Sequence, residues 1–195
     1  MIHIYYNMNI VQKEVFKMPK IIPNLKETIV IEAKHMLIKD GYENFNMRDI
    51  AKKCSVGVGT LYNYFPNKDN LAIAIFLEDW NQVITNVKSL ETKNCTLKTK
   101  IYEIYENINE FLKNYMGIFM EMAYSSKESR YDRKDIMNPI YKSIETILKY
   151  HKGIGELNCD VPLDKEAYFI VANLVNLCRE KFLTFDELYS CMKLS

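Results

Sequence analysis

The chain has 195 residues, 48% of them hydrophobic and 26% charged, with a formal net charge of +1. That length can bury one good core or two small ones, and the composition is that of a folded chain, not a disordered one. No apolar run approaches the roughly 20 residues needed to cross a bilayer, the near-neutral charge argues against non-specific coating of nucleic acid, and sparse glycine and proline favour an all-α chain of about nine helices.

Residues 1–19 read as an N-terminal extension, within which Met18-Pro19-Lys20 would serve as a later start. From Asn24 the pattern becomes helical. Asn24 and Glu27 have the spacing of a capping box, and Leu25, Ile29, Ala33, Met36 and Leu37 recur at helical period. Gly41 is placed to stop this helix. A second, short helix opens at Asn46, with Asp49 three residues on, and ends near Cys54. The turn Ser55-Val56-Gly57 leads to a third helix, Val58 to Tyr64, which Pro66 prevents from extending. Asn67 caps a fourth helix that runs to about Lys88.

The second half has a different texture. Leu97, Ile101, Ile104, Ile108, Phe111 and Tyr115 mark a long amphipathic helix, which Gly117 is expected to interrupt before a shorter apolar helix over 118–124. Residues 125–135 read as a charged loop. Ile140, Ile144, Ile147, Leu148 and His151 mark the next helix, ended by Gly153. Ala167, Ile170, Val171, Leu174, Val175 and Cys178 mark another. Thr184 and Glu187 form a second capping box, opening the last helix.

The two short helices joined by a tight turn cannot bury enough surface alone. They make sense packed on the first helix, with Ile50, Ala51, Val56, Leu61 and Phe65 in one small core. The outer face of Val58 to Tyr64 is then free to enter a DNA major groove. Gly59 permits close approach, Thr60 offers a hydroxyl and a methyl group, and Tyr62 and Tyr64 can donate to phosphate oxygens. Arg48 can reach another phosphate. Lys68 is a cation at a helix N-terminus, a conflict with the helix dipole that a bound phosphate would remove.

The string Arg48-Asp49-Ile50-Ala51, Val56, Gly59-Thr60-Leu61-Tyr62-Asn63-Tyr64-Phe65, Lys68 and Leu71 closely resembles the DNA-binding domain of the tetracycline-repressor (TetR) family of transcriptional regulators. The resemblance covers about residues 25–76. It implies an N-terminal three-helix helix-turn-helix domain (20–70) and a C-terminal helical bundle (71–195) that binds an effector and dimerises. It implies double-stranded DNA carrying a palindromic operator as a partner. The DNA-facing set is then Asn46, Arg48, Gly57, Val58, Gly59, Thr60, Tyr62, Asn63, Tyr64 and Lys68. Two positions depart from the family. Cys54-Ser55 stands where Ala-Gly is usual, and serine tolerates a left-handed turn less well than glycine. Gly57 stands where serine is frequent, which removes a hydroxyl from the reading face.

In the C-terminal half, Tyr102, Tyr105, Phe111, Tyr115, Met116, Phe119 and Met122 either line an effector cavity or form a plain helical core. Asn173 is either a polar anchor for a ligand or a surface residue. Ile140, Ile144, Leu148, Val171, Leu174 and Val175 are apolar enough for a dimer interface, although some must face the core. A symmetric dimer would space two reading helices by about 34–36 Å, one turn of DNA. The reading is an effector-responsive homodimeric repressor with a small apolar or amphipathic effector and the fourth helix as its lever. The alternative is a DNA-binding interaction protein without effector. Cys54, Cys95, Cys159, Cys178 and Cys191 lack metal-ligand spacing and read as reduced thiols in a cytoplasm. No cofactor, metal set, catalytic triad or phosphate loop is legible, so an enzyme is not expected.

Overall fold

Two of the four helices of the first half begin where a short polar side chain takes up an orphan amide. A computed structural model of the protein describes residues 24–125, 133–180 and 182–194. Helix α1 spans Leu25–Asn44 and buries Leu25, Ile29, Val30, Ala33 and Leu37. The expected capping box at its start is not formed. Asn24 itself adopts a left-handed conformation (φ 57°) and makes no side-chain cap. Its carbonyl instead accepts from the amide and hydroxyl of Thr28, at 3.0 and 3.3 Å. Gly41 does break the helix, with φ 75° and ψ 170°, a conformation open essentially to glycine alone.

Helices α2 (Met47–Lys53), α3 (Val58–Tyr64) and α4 (Lys68–Ser89) follow in the expected order. The side chain of Asn46 accepts from the Asp49 amide at 3.0 Å, and that of Asn67 from the Asn70 amide at 2.8 Å. Each satisfies one of the donors that a helix start leaves unpaired. Ile50, Ala51, Leu61 and Phe65 are buried together, with Val56 half-buried against them. Leu61 is the one fully buried residue of α3, so this side chain pins the helix to the domain. Truncating it to alanine would cost roughly 2–5 kcal/mol.

The second half holds α5 (Leu97–Ser125), α6 (Arg133–Gly153), α7 (Leu163–Arg179) and α8 (Phe185–Met192). The described residues thus contain eight helices and no strand. The expected break at Gly117 does not occur: α5 is continuous for 29 residues. A single interior glycine costs only about 1 kcal/mol relative to alanine, and burial of Tyr115, Ile118 and Met122 on either side outweighs it. Most of the expected loop over 125–135 lies outside the described residues; α6 begins within its last part. The capping box at Thr184 and Glu187 is present, with both reciprocal bonds made.

Helix α4 runs unbroken past residue 70 and carries the chain from the first half into the second. Helix α1 packs on both α4 and α5, so one hydrophobic cluster extends from Leu25 to Leu194. Helices α2 and α3 are held against the bundle by α1 as well as by α4.

Candidate nucleic-acid interface

The turn between α2 and α3 decides how α3 is presented. The amide of Ser55 donates to the Lys52 carbonyl (3.1 Å) and that of Val56 to the Ala51 carbonyl (2.9 Å). These paired bonds end α2 and require a left-handed residue between them. Ser55 supplies it, with φ 55°. Gly57 is extended and starts α3 without a side-chain cap.

Helix α3 then turns a bare and aromatic face outward. Tyr62 and Tyr64 are exposed (47% and 43%), and Asn63 and Gly59 are exposed beside them. A methyl group added at Gly59 would meet nothing within 4 Å. The protein's own packing therefore does not demand glycine there; the open space faces outward. Val58 and Thr60 are half-buried, with the hydroxyl of Thr60 3.7 Å from where a Cβ on Gly57 would lie. Arg48 is exposed at the start of α2. Asn46 is exposed but committed: its amide also donates to the Asp49 carboxylate at 2.6 Å and to the Asn44 carbonyl at 3.3 Å.

Lys68 opens α4, four residues after the end of α3. Its ammonium sits 4.1 Å from the centroid of the Tyr42 ring and donates to the Tyr42 carbonyl at 3.2 Å. The cation at the start of α4 thus already has a carbonyl and a ring face as partners. Tyr42 is buried at 1% exposure and donates its hydroxyl to Asp69. Gly41 is legible in the sequence as a helix stop, but Tyr42 beside it is not. A single aromatic residue after a helix carries no pattern.

The expected effector residues fall into two groups. Phe111, Tyr115 and Phe119 of α5 meet Phe76 of α4, with ring centroids 4.9, 5.6 and 4.3 Å from it, and Met122 is buried one turn beyond Phe119. Trp80 joins them through Phe111 at 4.8 Å. Tyr102 and Tyr105 lie elsewhere, against Phe185 of α8 at 5.0 and 5.7 Å. Met116 is half-buried. Asn173 donates to the Phe169 carbonyl of its own helix at 2.8 Å. The first group contains one polar chain. Tyr115 donates to Asp79 at 2.6 Å, and Asp79 pairs with Lys34 of α1 at 2.6 Å. Burial, with the Asp79 carboxylate beside it, pushes the Tyr115 hydroxyl well above the usual tyrosine range.

The expected dimer residues need correction. Ile140, Ile144, Leu148, Val171 and Leu174 are all 1% exposed or less within a single subunit. They fill the core around α6 and α7 and offer no surface; Val175 is half-buried. The exposed face of α7 carries Tyr168 (61%) and Phe169 (48%), and Phe182 beyond it is 91% exposed. An open groove of about 590 Å³ between α6 and α7 is lined by Tyr141, Lys142, Glu145, Asp164, Lys165 and Tyr168, among others.

Residues 29–75 match the model of the bacterial regulatory proteins of the tetR family. The HTH-type transcriptional regulator YuxN of Bacillus subtilis is 23% identical over 163 residues, which are 80% of this chain and 54% of that protein. The fatty acid metabolism regulator protein of the same organism is 25% identical over 120 residues, 62% of each. The chain thus spans a little over half the length of these relatives. Among solved structures, Salmonella enterica GusR superposes with a TM-score of 0.65 at 19% identity, covering 83% of this chain and 86% of that one. The turn geometry, the outward aromatic face and these matches agree on the N-terminal part: residues 29–75 form a domain of the kind found in the bacterial regulatory proteins of the tetR family, and most of the chain shares the fold of solved regulators of that family.

Proposed function

We propose that the protein is a homodimeric repressor that reads a palindromic operator through α3 and leaves it when a small apolar or amphipathic effector binds the bundle. The observation that carries the DNA-reading part is the exposure of Tyr62, Tyr64 and Arg48 around a glycine whose missing side chain faces open space. No packing among the described residues accounts for that face. In this reading Tyr62, Tyr64, Arg48 and Lys68 hold phosphates, and Thr60 with Asn63 meets base edges. Asn46 acts chiefly as the cap of α2. The work is done in the cytoplasm.

The dimer would form through α7 and the segment after it. Tyr168, Phe169 and Phe182 supply apolar surface, and Lys142, Glu145, Asp164 and Lys165 supply both signs of charge, as a self-complementary contact requires. The effector would enter the cluster of Phe76, Phe111, Tyr115 and Phe119, with α4 as the lever. The name of one relative, a fatty acid metabolism regulator, fits an amphipathic ligand. A second reading, constitutive DNA binding without effector, is favoured by the close ring packing of that same cluster, which must open before anything can enter.

The test begins with DNA sequences enriched from genomic fragments by the full chain. Lys68→Ala should weaken binding and lower the slope of log affinity against log salt by about 0.9, the value of one phosphate contact. Tyr62→Phe should weaken binding by about 0.5–1.5 kcal/mol, one neutral hydrogen bond. Wild-type affinity and slope in both variants would sink the contact assignment. A ligand screen against the bound complex then separates the two readings, because only the first predicts release.

A further inference from the structure

We propose that Glu121, a residue of the C-terminal bundle, positions the phosphate anchor Lys68 by holding the turn that follows Gly41. The proposal rests on the DNA-reading function argued above. One oxygen of the Glu121 carboxylate accepts from two successive backbone amides, Tyr42 at 2.7 Å and Glu43 at 3.2 Å. Both amides lie just past the break in α1, where the chain no longer supplies helical acceptors. A charged acceptor shared by two amides is a strong, directional tie.

The consequence runs through Tyr42. The residue whose amide is held by Glu121 presents its carbonyl and its ring face to the Lys68 ammonium, and its hydroxyl to Asp69. The turn therefore places both the cation and its acidic neighbour at the start of α4. Lys68 has a flexible four-carbon stem, and its reach toward a phosphate depends on where that ring and carbonyl stand. Glu121 fixes them from α5, between the buried residues Ile118 and Met122 and next to the ring cluster that holds Phe119. One helix thus contributes both to the ring cluster and to the support of a DNA anchor 53 positions earlier in the chain (121 − 68).

The experiment uses the full chain and a duplex that the wild type enriches from a random-sequence pool. Glu121→Met keeps the length of the side chain and removes the acceptor. Glu121→Gln keeps an acceptor oxygen. Glu121→Met should bind about tenfold more weakly, the scale of a charge-assisted hydrogen bond, and should lower the salt slope by about 0.9. Combined with Lys68→Ala it should add little, because the anchor it serves is already gone. Glu121→Gln should recover most of the affinity. The proposal is overturned if Glu121→Met keeps the wild-type salt slope, or if its loss multiplies fully with that of Lys68→Ala. Should Glu121→Met unfold, Glu121→Gln decides: the proposal is overturned if Glu121→Gln binds as weakly as Lys68→Ala, or if any loss it shows multiplies fully with that of Lys68→Ala. A wild-type chain that enriches no sequence would refute the DNA-reading function itself, which is a different result from variants that bind as well as the wild type.

Discussion

Replacing Ser55 with glycine should stabilise the protein, and the size of the gain follows from the turn. Ser55 is held at φ 55° by the two bonds that close α2, and its hydroxyl makes no hydrogen bond among the described residues. An L-residue in the left-handed region costs about 1–2 kcal/mol. Glycine removes that cost but gives back roughly 0.5–1 kcal/mol through the freedom of its unfolded chain. The net gain is about 0.5–1 kcal/mol, or about 1–4 °C in Tm for a chain of this length. Urea unfolding followed by circular dichroism would read it as a higher midpoint at constant m. Gly41→Ala is the opposed control. Gly41 has φ 75° and ψ 170°, and alanine there should cost about 1–3 kcal/mol. Operator affinity should be unchanged in Ser55→Gly, because the backbone path is the same. A Ser55→Gly variant no more stable than the wild type would show that serine bears no strain in this turn.

Three further outcomes are expected. Tyr115 has its hydroxyl pKa raised in the fold by burial and by Asp79. The protonated form is therefore favoured by folding, and the associated stability is whole below the unfolded value near 10 and declines as pH rises above it. Tyr115→Phe should flatten that alkaline decline in thermal melts; an unchanged decline would assign it to other groups. Thr184→Ala removes the hydroxyl that caps α8 and accepts from the Glu187 amide at 3.3 Å, at a cost of about 1 kcal/mol. The Glu187 carboxyl, held low by its bonds from the amide and hydroxyl of Thr184, should then titrate closer to its ordinary value in NMR. Burial, with Glu106 adding to it, pushes the Cys178 thiol up to about 11. Thiol labelling at pH 8 should mark exposed Cys191 well before half-buried Cys178 or buried Cys54, and equal rates would contradict the raised thiol of Cys178 and the burial of Cys54.

The reader was legible because its determinants are local. Asn46, Asn67 and Pro66 act within a few residues of themselves, and the bounds of α3 follow from Gly57 and Pro66 alone. Ser55 was legible for the same reason: a turn that needs a left-handed residue can be recognised by what stands where glycine is usual. The bundle was less so. Gly117 is weighed against 29 residues of tertiary packing that a local reading does not contain. Ile140 and Val171 show why interface and core are confused, since an apolar stripe at helical spacing looks the same whether a neighbouring helix or a second subunit covers it. The tie from Glu121 to Tyr42 spans 79 positions and leaves no trace in composition or period.

Trp80 is the only tryptophan in the chain. Its indole donates to the Ile136 carbonyl at 2.9 Å, near the start of α6, while its ring lies against Phe111 of α5. One chromophore therefore stands where three helices meet, with a hydrogen bond to one and a ring contact to another. Its emission is an unlabelled gauge of the bundle: loss of the bond to α6 or wetting of the ring would shift its wavelength and quenching. Helices α2 and α3 contain no tryptophan to confuse the record, so fluorescence follows the bundle, while in the proposed function DNA binding follows α3. The molecule carries its own means of timing one event against the other.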